Sequence, residues 1–167
     1  VNREDFEMLN QDIIYFDNSA TTFKPKSVLN AITDYYTKYT SNAHRGDYKT
    51  ILKVDTLYEG TREKVKDFLN ASSSKEIIFT SGTTNSLNMV VFGFAKYNLK
   101  AGDEVIITKT EHASNVLPWL ELADEIGIKV KYATLDKNLK LQTEDLLKVI
   151  TPNTKVVSLA HVTNTVG

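Results

Sequence analysis

The sequence predicts an α/β fold built on a mostly parallel sheet with helices on both faces. Three observations predict it. From Glu76 onward, short strand-like runs alternate with helix-periodic stretches. Those runs are apolar throughout, as in Ile77-Ile-Phe79 and Val105-Ile-Ile107, which suits strands buried on both faces. Glycines and polar clusters separate them, as at Ser81–Thr84, Gly102-Asp103 and Gly127.

Element by element, Asp12–Asp17 encloses Ile13, Ile14, Tyr15 and Phe16 and reads as a strand. Asn18-Ser-Ala-Thr-Thr22 is a loop. Pro25 suits the first turn of a helix whose face carries Val28, Ile32, Tyr35, Tyr36 and Tyr39. Thr40–Thr50 is polar and irregular. A second long helix follows, with Val54, Leu57, Tyr58, Val65, Phe68 and Leu69 on its expected buried stripe, weakened at Gly60.

Strand 76–80 leads through Ser81–Thr84 into helix 83–96, with Leu87, Val90, Val91, Phe94 and Ala95 at helical spacing. Strand 104–109 precedes helix 115–126, which has Pro118 in its first turn and Gly127 as its stop. Strand 128–134 follows, then a turn at Asp136-Lys-Asn138. Thr143 is expected to cap a helix with Glu144 and Asp145 in its first turn. Pro152 ends it, and strand 155–161 comes last.

Composition narrows the class. The 167 residues are 41% apolar and 25% charged, with a net charge of −1, which gives no reason to expect a nucleic-acid or anionic-membrane partner. No apolar run spans a bilayer and no signal-peptide pattern is present, so a cytoplasmic protein is the expectation. Without cysteine there is no disulfide or thiolate metal site. The chain begins with Val1 and stops at Gly167 directly after an apolar strand, so a fragment of a longer protein is expected.

In open α/β sheets, ligands bind beyond the carboxyl ends of the strands. That rule selects Ser81–Thr84, Thr110–Asn115, Thr134–Asn138 and His161–Gly167. At the first, a helix N-terminus offers unpaired amides and a positive dipole end. Gly82 allows close backbone approach, and Thr83 and Thr84 add hydroxyls. The same residues equally suit an ordinary turn capped by Ser81 or Thr83.

His112 leaves its strand at that edge, where it can stack on a flat ligand or move protons. Alone, it reads rather as a solvated loop histidine. Asn164 offers an amide, and alone reads as a turn residue. His161 ends a strand and reads as structural. His44 and Arg45 can together bind a carboxylate, or simply decorate a loop between helices. Neither GxGxxG nor GxxxxGK[ST] occurs, nor a GxSxG elbow, nor a metal-ligand spacing.

Taken together, Asp17-Asn-Ser-Ala-Thr-Thr22, Asn42-Ala-His-Arg-Gly46, Ser81-Gly-Thr-Thr84, Thr110-Glu-His112, Pro118-Trp119 and His161-Val-Thr-Asn-Thr-Val-Gly167 stand in the order of a known family. The chain resembles the N-terminal part of class V aminotransferase-fold enzymes dependent on pyridoxal 5'-phosphate, and most of all cysteine desulfurases of the SufS/Csd-like group. The resemblance covers essentially the whole chain.

It implies a truncated fold-type I large domain, with 1–22 as an N-terminal segment and 23–167 as part of the cofactor-binding domain. It implies a homodimer that takes sulfur from L-cysteine, leaves L-alanine, and passes a persulfide to an iron–sulfur assembly partner. Residue by residue, Gly82, Thr83 and Thr84 match the turn that holds the cofactor phosphate. His112 matches the histidine stacked on the pyridine ring and linked to proton transfer. Asn164 matches an asparagine near the cofactor's phenolic oxygen and the substrate carboxylate. Ala20 borders the substrate pocket, and His44 and Arg45 match a loop at its entrance.

One departure is Ala113, where the family usually carries a second histidine or another bulky residue. The family's cofactor-anchoring lysine, its pyridinium-pairing aspartate and its nucleophilic cysteine fall beyond the position of Gly167. Other class V activities, such as a selenocysteine lyase or an amino-acid lyase or epimerase, share these motifs. A non-catalytic anion- or partner-binding α/β module is the remaining alternative.

Overall fold

The computed structural model describes residues 2–167. Its contacts divide the chain into two compact units, the first ending at Ile78 and the second running Phe79–Gly167.

The first unit is helical. Helix α1 (Lys26–Asp34) starts after Pro25, which is its cap residue rather than part of its first turn, and runs on as a wider π-turn over Tyr35–Tyr39. Helix α2 (Lys49–Leu69) ends at Asn70 in the left-handed conformation. The Asn70 and Ala71 amides bond back to Asp67 and Lys66, as a helix stop requires.

The buried stripe expected on α2 does not form: Ile51 is its only buried residue, and Leu57, Tyr58, Phe68 and Leu69 are exposed. The expected strand at 12–17 is likewise absent, with Ile14 87% and Phe16 91% exposed. Apolar composition favours a strand, but a ladder needs a hydrogen-bonded neighbour, and none pairs here among the described residues. Tyr15 instead closes a local loop, its hydroxyl donating to the Asp17 and Thr21 carbonyls at 3.1 and 2.7 Å.

The second unit holds a three-stranded parallel sheet of order β2-β1-β3, formed by β1 (Glu104–Ile107), β2 (Lys129–Tyr132) and β3 (Thr154–Val157). β1 and β2 sit inside the expected ranges, β3 begins one residue before its expected start, all three end sooner than expected, and His161 lies past β3 rather than in it. The central strand β1 is buried at every position, consistent with its unbroken apolar run.

A single helical stretch precedes it: α3 (Thr83–Asn88), a π-turn over Met89–Ala95, and α4 (Lys96–Asn98). Helix α5 (Leu117–Ile126) carries Pro118 at its start and Gly127 at φ +77° as its stop. A side chain at Gly127 would also meet Ala101 at 3.1 Å. Val91, Ala95, Trp119 and Leu122 from these helices pack with Val105, Ile107 and Ile128 into one core. Each valine, leucine or isoleucine among them contributes about 1.5–3 kcal/mol when fully buried.

Two further expectations need correction. Residues 77–80 form no strand and belong to no sheet ladder among the described residues; a 3₁₀ turn over Ser74–Glu76 precedes them. Helix α6 (Thr143–Val149) has Gln142 at its cap position, with Thr143 already inside the helix and no capping side chain. Among the described residues no helix is long and apolar enough to cross a membrane.

Candidate functional site

The strand ends and helix starts of the second unit create the candidate site. At the entry to α3, Gly82 takes φ +151° and ψ 173°, a region almost restricted to glycine. No side chain caps the helix, so the Thr83, Thr84 and Asn85 amides of the first turn lack an intrahelical acceptor by geometry. A Cβ built on Gly82 would meet nothing within 4 Å. The turn is braced from behind: the Thr80 hydroxyl lies 2.7 Å from that of Ser86 and donates to the Gly82 carbonyl at 3.2 Å. Thr83 and Thr84 are exposed.

Beyond β1, His112 begins a 3₁₀ turn over Ala113–Asn115. Its Nδ1 accepts the Ser114 amide at 3.1 Å, and the Ser114 hydroxyl lies 2.8 Å away. An accepting Nδ1 places the proton of the neutral ring on Nε2. This 3₁₀ turn packs beside α3, so the Gly82–Thr84 and His112 segments are neighbours. Asn164 lies in an exposed turn after β3, where the Val166 and Gly167 amides bond to Thr163. Among the described residues its side chain makes no hydrogen bond.

Ala20, His44 and Arg45 belong to the first unit. Ala20 is exposed, its amide bonded to the Asp17 carbonyl at 3.2 Å. His44 takes φ +61°, lies 3.6 Å from Asp55 and 3.3 Å from Glu59, and stacks edge-on to Tyr58. The His44 amide donates to Asp55 at 2.7 Å. Arg45 is exposed.

Sequence reasoning missed the polar cluster beneath His112. Glu111 accepts from the Thr108 hydroxyl at 2.9 Å, the Asn115 amide at 2.8 Å, and the Ala160 backbone N–H at 3.1 and 3.0 Å. Asn115 is buried and accepts from Trp119 Nε1 at 3.3 Å and the Ser158 hydroxyl at 2.6 Å. The one available signal was Glu111, Asn115 and Trp119 at successive spacings of four. A cavity of about 410 Å³ opens past the carboxyl ends of the strands, lined by Thr110, Glu111, Leu139, Ala160, His161 and Thr163 among others. Gly82–Thr84, His112 and Asn164 are not among its walls. Among the described residues no cluster of acidic and histidine side chains could hold a metal ion.

The family model for class V aminotransferases matches residues 14–167. The chain belongs to the class V aminotransferase family. It is 49% identical over 158 residues to a protein of Ureaplasma parvum serovar 3 named "Probable cysteine desulfurase", covering 95% of this chain and 39% of that one. A protein of the same name from Halalkalibacterium halodurans is 42% identical over 163 residues, covering 98% of this chain and 40% of that one. The apo cysteine desulfurase of Thermococcus onnurineus NA1 superposes with a TM-score of 0.92 at 39% identity, covering 99% of this chain and 40% of that one. The class V chain therefore spans about 40% of the length of the curated relatives it matches. Its parallel sheet and flanking helices are those of a fold-type I fragment.

Proposed function

We propose that this chain is the N-terminal part of a pyridoxal-phosphate-dependent cysteine desulfurase, with 23–167 contributing to its cofactor domain. The observation that carries the reading is the uncapped glycine turn at α3 lying beside the turn begun by His112. The names of the relatives at 42–49% identity support it.

The residues fit the cofactor. The Thr83–Asn85 amides and the Thr83 and Thr84 hydroxyls are donors of the kind a phosphate group uses. The open space before Gly82 leaves room for that anion. His112, with its ring fixed through Nδ1, would lie against the pyridine ring and hold or move a proton at Nε2. Asn164 would orient the phenolic oxygen or the substrate carboxylate. Ala20, His44 and Arg45 would border the substrate entrance. Bound pyridoxal phosphate supplies the electron sink.

In the overall reaction, sulfur passes from L-cysteine to an enzyme thiolate as a persulfide. The carbon it leaves gains a proton and becomes L-alanine. The 167 residues contain no cysteine, so that thiolate is supplied from outside them. The same reading makes the enzyme a cytoplasmic homodimer that hands its persulfide to a sulfur-acceptor protein for iron–sulfur cluster assembly.

The test is to purify the full-length protein with pyridoxal phosphate and measure alanine from L-cysteine together with the sulfide that an added thiol reductant frees from the persulfide. Equal yields of both, with a cysteine labelled as persulfide, are expected. A strong preference for selenocysteine, or elimination to pyruvate, would overturn the desulfurase assignment.

A further inference from the structure

Glu111 stands where the sheet runs out of acceptors. The Ser158 amide still donates to the Ile106 carbonyl at 2.9 Å, in continuation of the β1–β3 pairing. Past that point the chain after β1 bends into its loop, and the Ala160 amide donates to the Glu111 carboxylate instead. A side chain thus replaces the missing strand carbonyl, and a charged acceptor makes the stronger bond. The same carboxylate takes the Thr108 hydroxyl and the Asn115 amide, so donors surround both of its oxygens.

Asn115 supplies a second tie. Its Oδ1 accepts from Trp119 and the Ser158 hydroxyl, and its Nδ2 donates to Glu111 and, at 3.3 Å, to the Ser158 carbonyl. Those donors fix which way the amide faces. His112 lies between these two anchored residues in sequence, and Asn164 follows Ala160 by four residues.

We propose that Glu111 is a positioning residue that holds the His112 loop and the chain leading to Asn164 at a fixed spacing. This rests on the cofactor reading given above. It predicts that the carboxylate is needed as an acceptor, not merely as volume.

The test compares Glu111→Gln with the double variant Glu111→Gln/Asn115→Asp in the full-length protein. The single change sets a donor amide against the Asn115 and Ala160 donors. The double change reverses the pair, so that an amide again meets a carboxylate. Two readouts are taken: the imidazole nitrogen shifts of His112 in the protein free of pyridoxal phosphate, and kcat against KM with the cofactor bound.

Glu111→Gln should turn the single Nε2–H form of His112 into a mixture of tautomers. It should lower kcat roughly tenfold to a hundredfold, as small misplacements do. Its dissociation constant for pyridoxal phosphate should stay within about twofold, since the α3 amides are untouched. The double variant should recover most of both losses. Wild-type nitrogen shifts and kcat in Glu111→Gln, or a lowered melting temperature alone, would overturn the proposal. If the wild-type protein neither binds pyridoxal phosphate nor turns over L-cysteine, the functional reading fails, while the nitrogen shifts still judge the tie.

Discussion

Gly82 combines φ +151° with open space where a side chain would project. Steric room is therefore not what calls for glycine there; the backbone angle is, and an L side chain held at such an angle costs of order 1–3 kcal/mol. Gly82 directly precedes the uncapped amides of α3, so in the proposed reading an added methyl would stand beside the cofactor phosphate. Gly82→Ala should weaken pyridoxal phosphate binding about tenfold by this loss of close approach. Equilibrium titration of the cofactor's absorbance in the full-length protein measures it. A variant that binds as tightly as wild type would show that the phosphate sits elsewhere. The helix start after Gly82 was legible because a glycine between an apolar run and a helical period marks a turn into a helix. Glu111 was not legible, because its decisive partner, Ala160, lies 49 residues away.

At the scale of elements, β1 and α5 could be read directly. Val105–Ile107 is an uninterrupted apolar run, and α5 begins and ends with a proline and a glycine. The segments at 12–17 and 76–80 carry equally strong apolar runs yet form no ladder. Composition reports what a strand would bury, whereas pairing depends on a neighbour that no local pattern encodes. The opposite, amino end of the sheet is closed by Glu104, a largely buried carboxylate opening β1. It accepts from the Thr151 hydroxyl at 2.6 Å, Lys131 at 3.1 Å and the Thr154 hydroxyl at 3.2 Å. The Thr151 hydrogen bond, aided by Lys131 and Thr154 and opposed by burial, holds its pKa below the ordinary glutamate value.

A depressed folded pKa means that the charged form is favoured by folding. The contribution of Glu104 is therefore complete above the unfolded pKa, about 4.3, and is lost as pH falls through the lower folded value. Glu104→Gln should melt below wild type near neutral pH, with the gap closing as pH drops through the acid range. Melting temperatures across a pH series measure this. A gap that stays constant with pH would show that Glu104 acts by packing rather than by charge.

At the scale of the whole molecule, each unit leaves large apolar side chains in water. Phe16 and Phe68 in the first and Phe94 and Tyr97 in the second are prominent examples. Soluble monomers rarely expose such surface without a partner for it. The relatives extend well beyond the matched 40% of their length, and their further residues are the natural candidates for that cover. The chemistry divides in the same way. In the proposed reading this stretch offers phosphate donors, an imidazole fixed through Nδ1 and the Asn164 amide, but no thiol. Sulfur cannot leave L-cysteine for an enzyme persulfide without a thiolate to receive it. The 167-residue stretch expressed alone should therefore associate in solution, bind pyridoxal phosphate only non-covalently, and release no sulfide above the rate of free pyridoxal phosphate. Sedimentation, borohydride reduction with peptide mapping, and a sulfide assay check the three parts. One stoichiometrically labelled lysine together with catalytic sulfide release would show that these residues suffice for catalysis, and that the division of labour argued from the missing thiol is wrong.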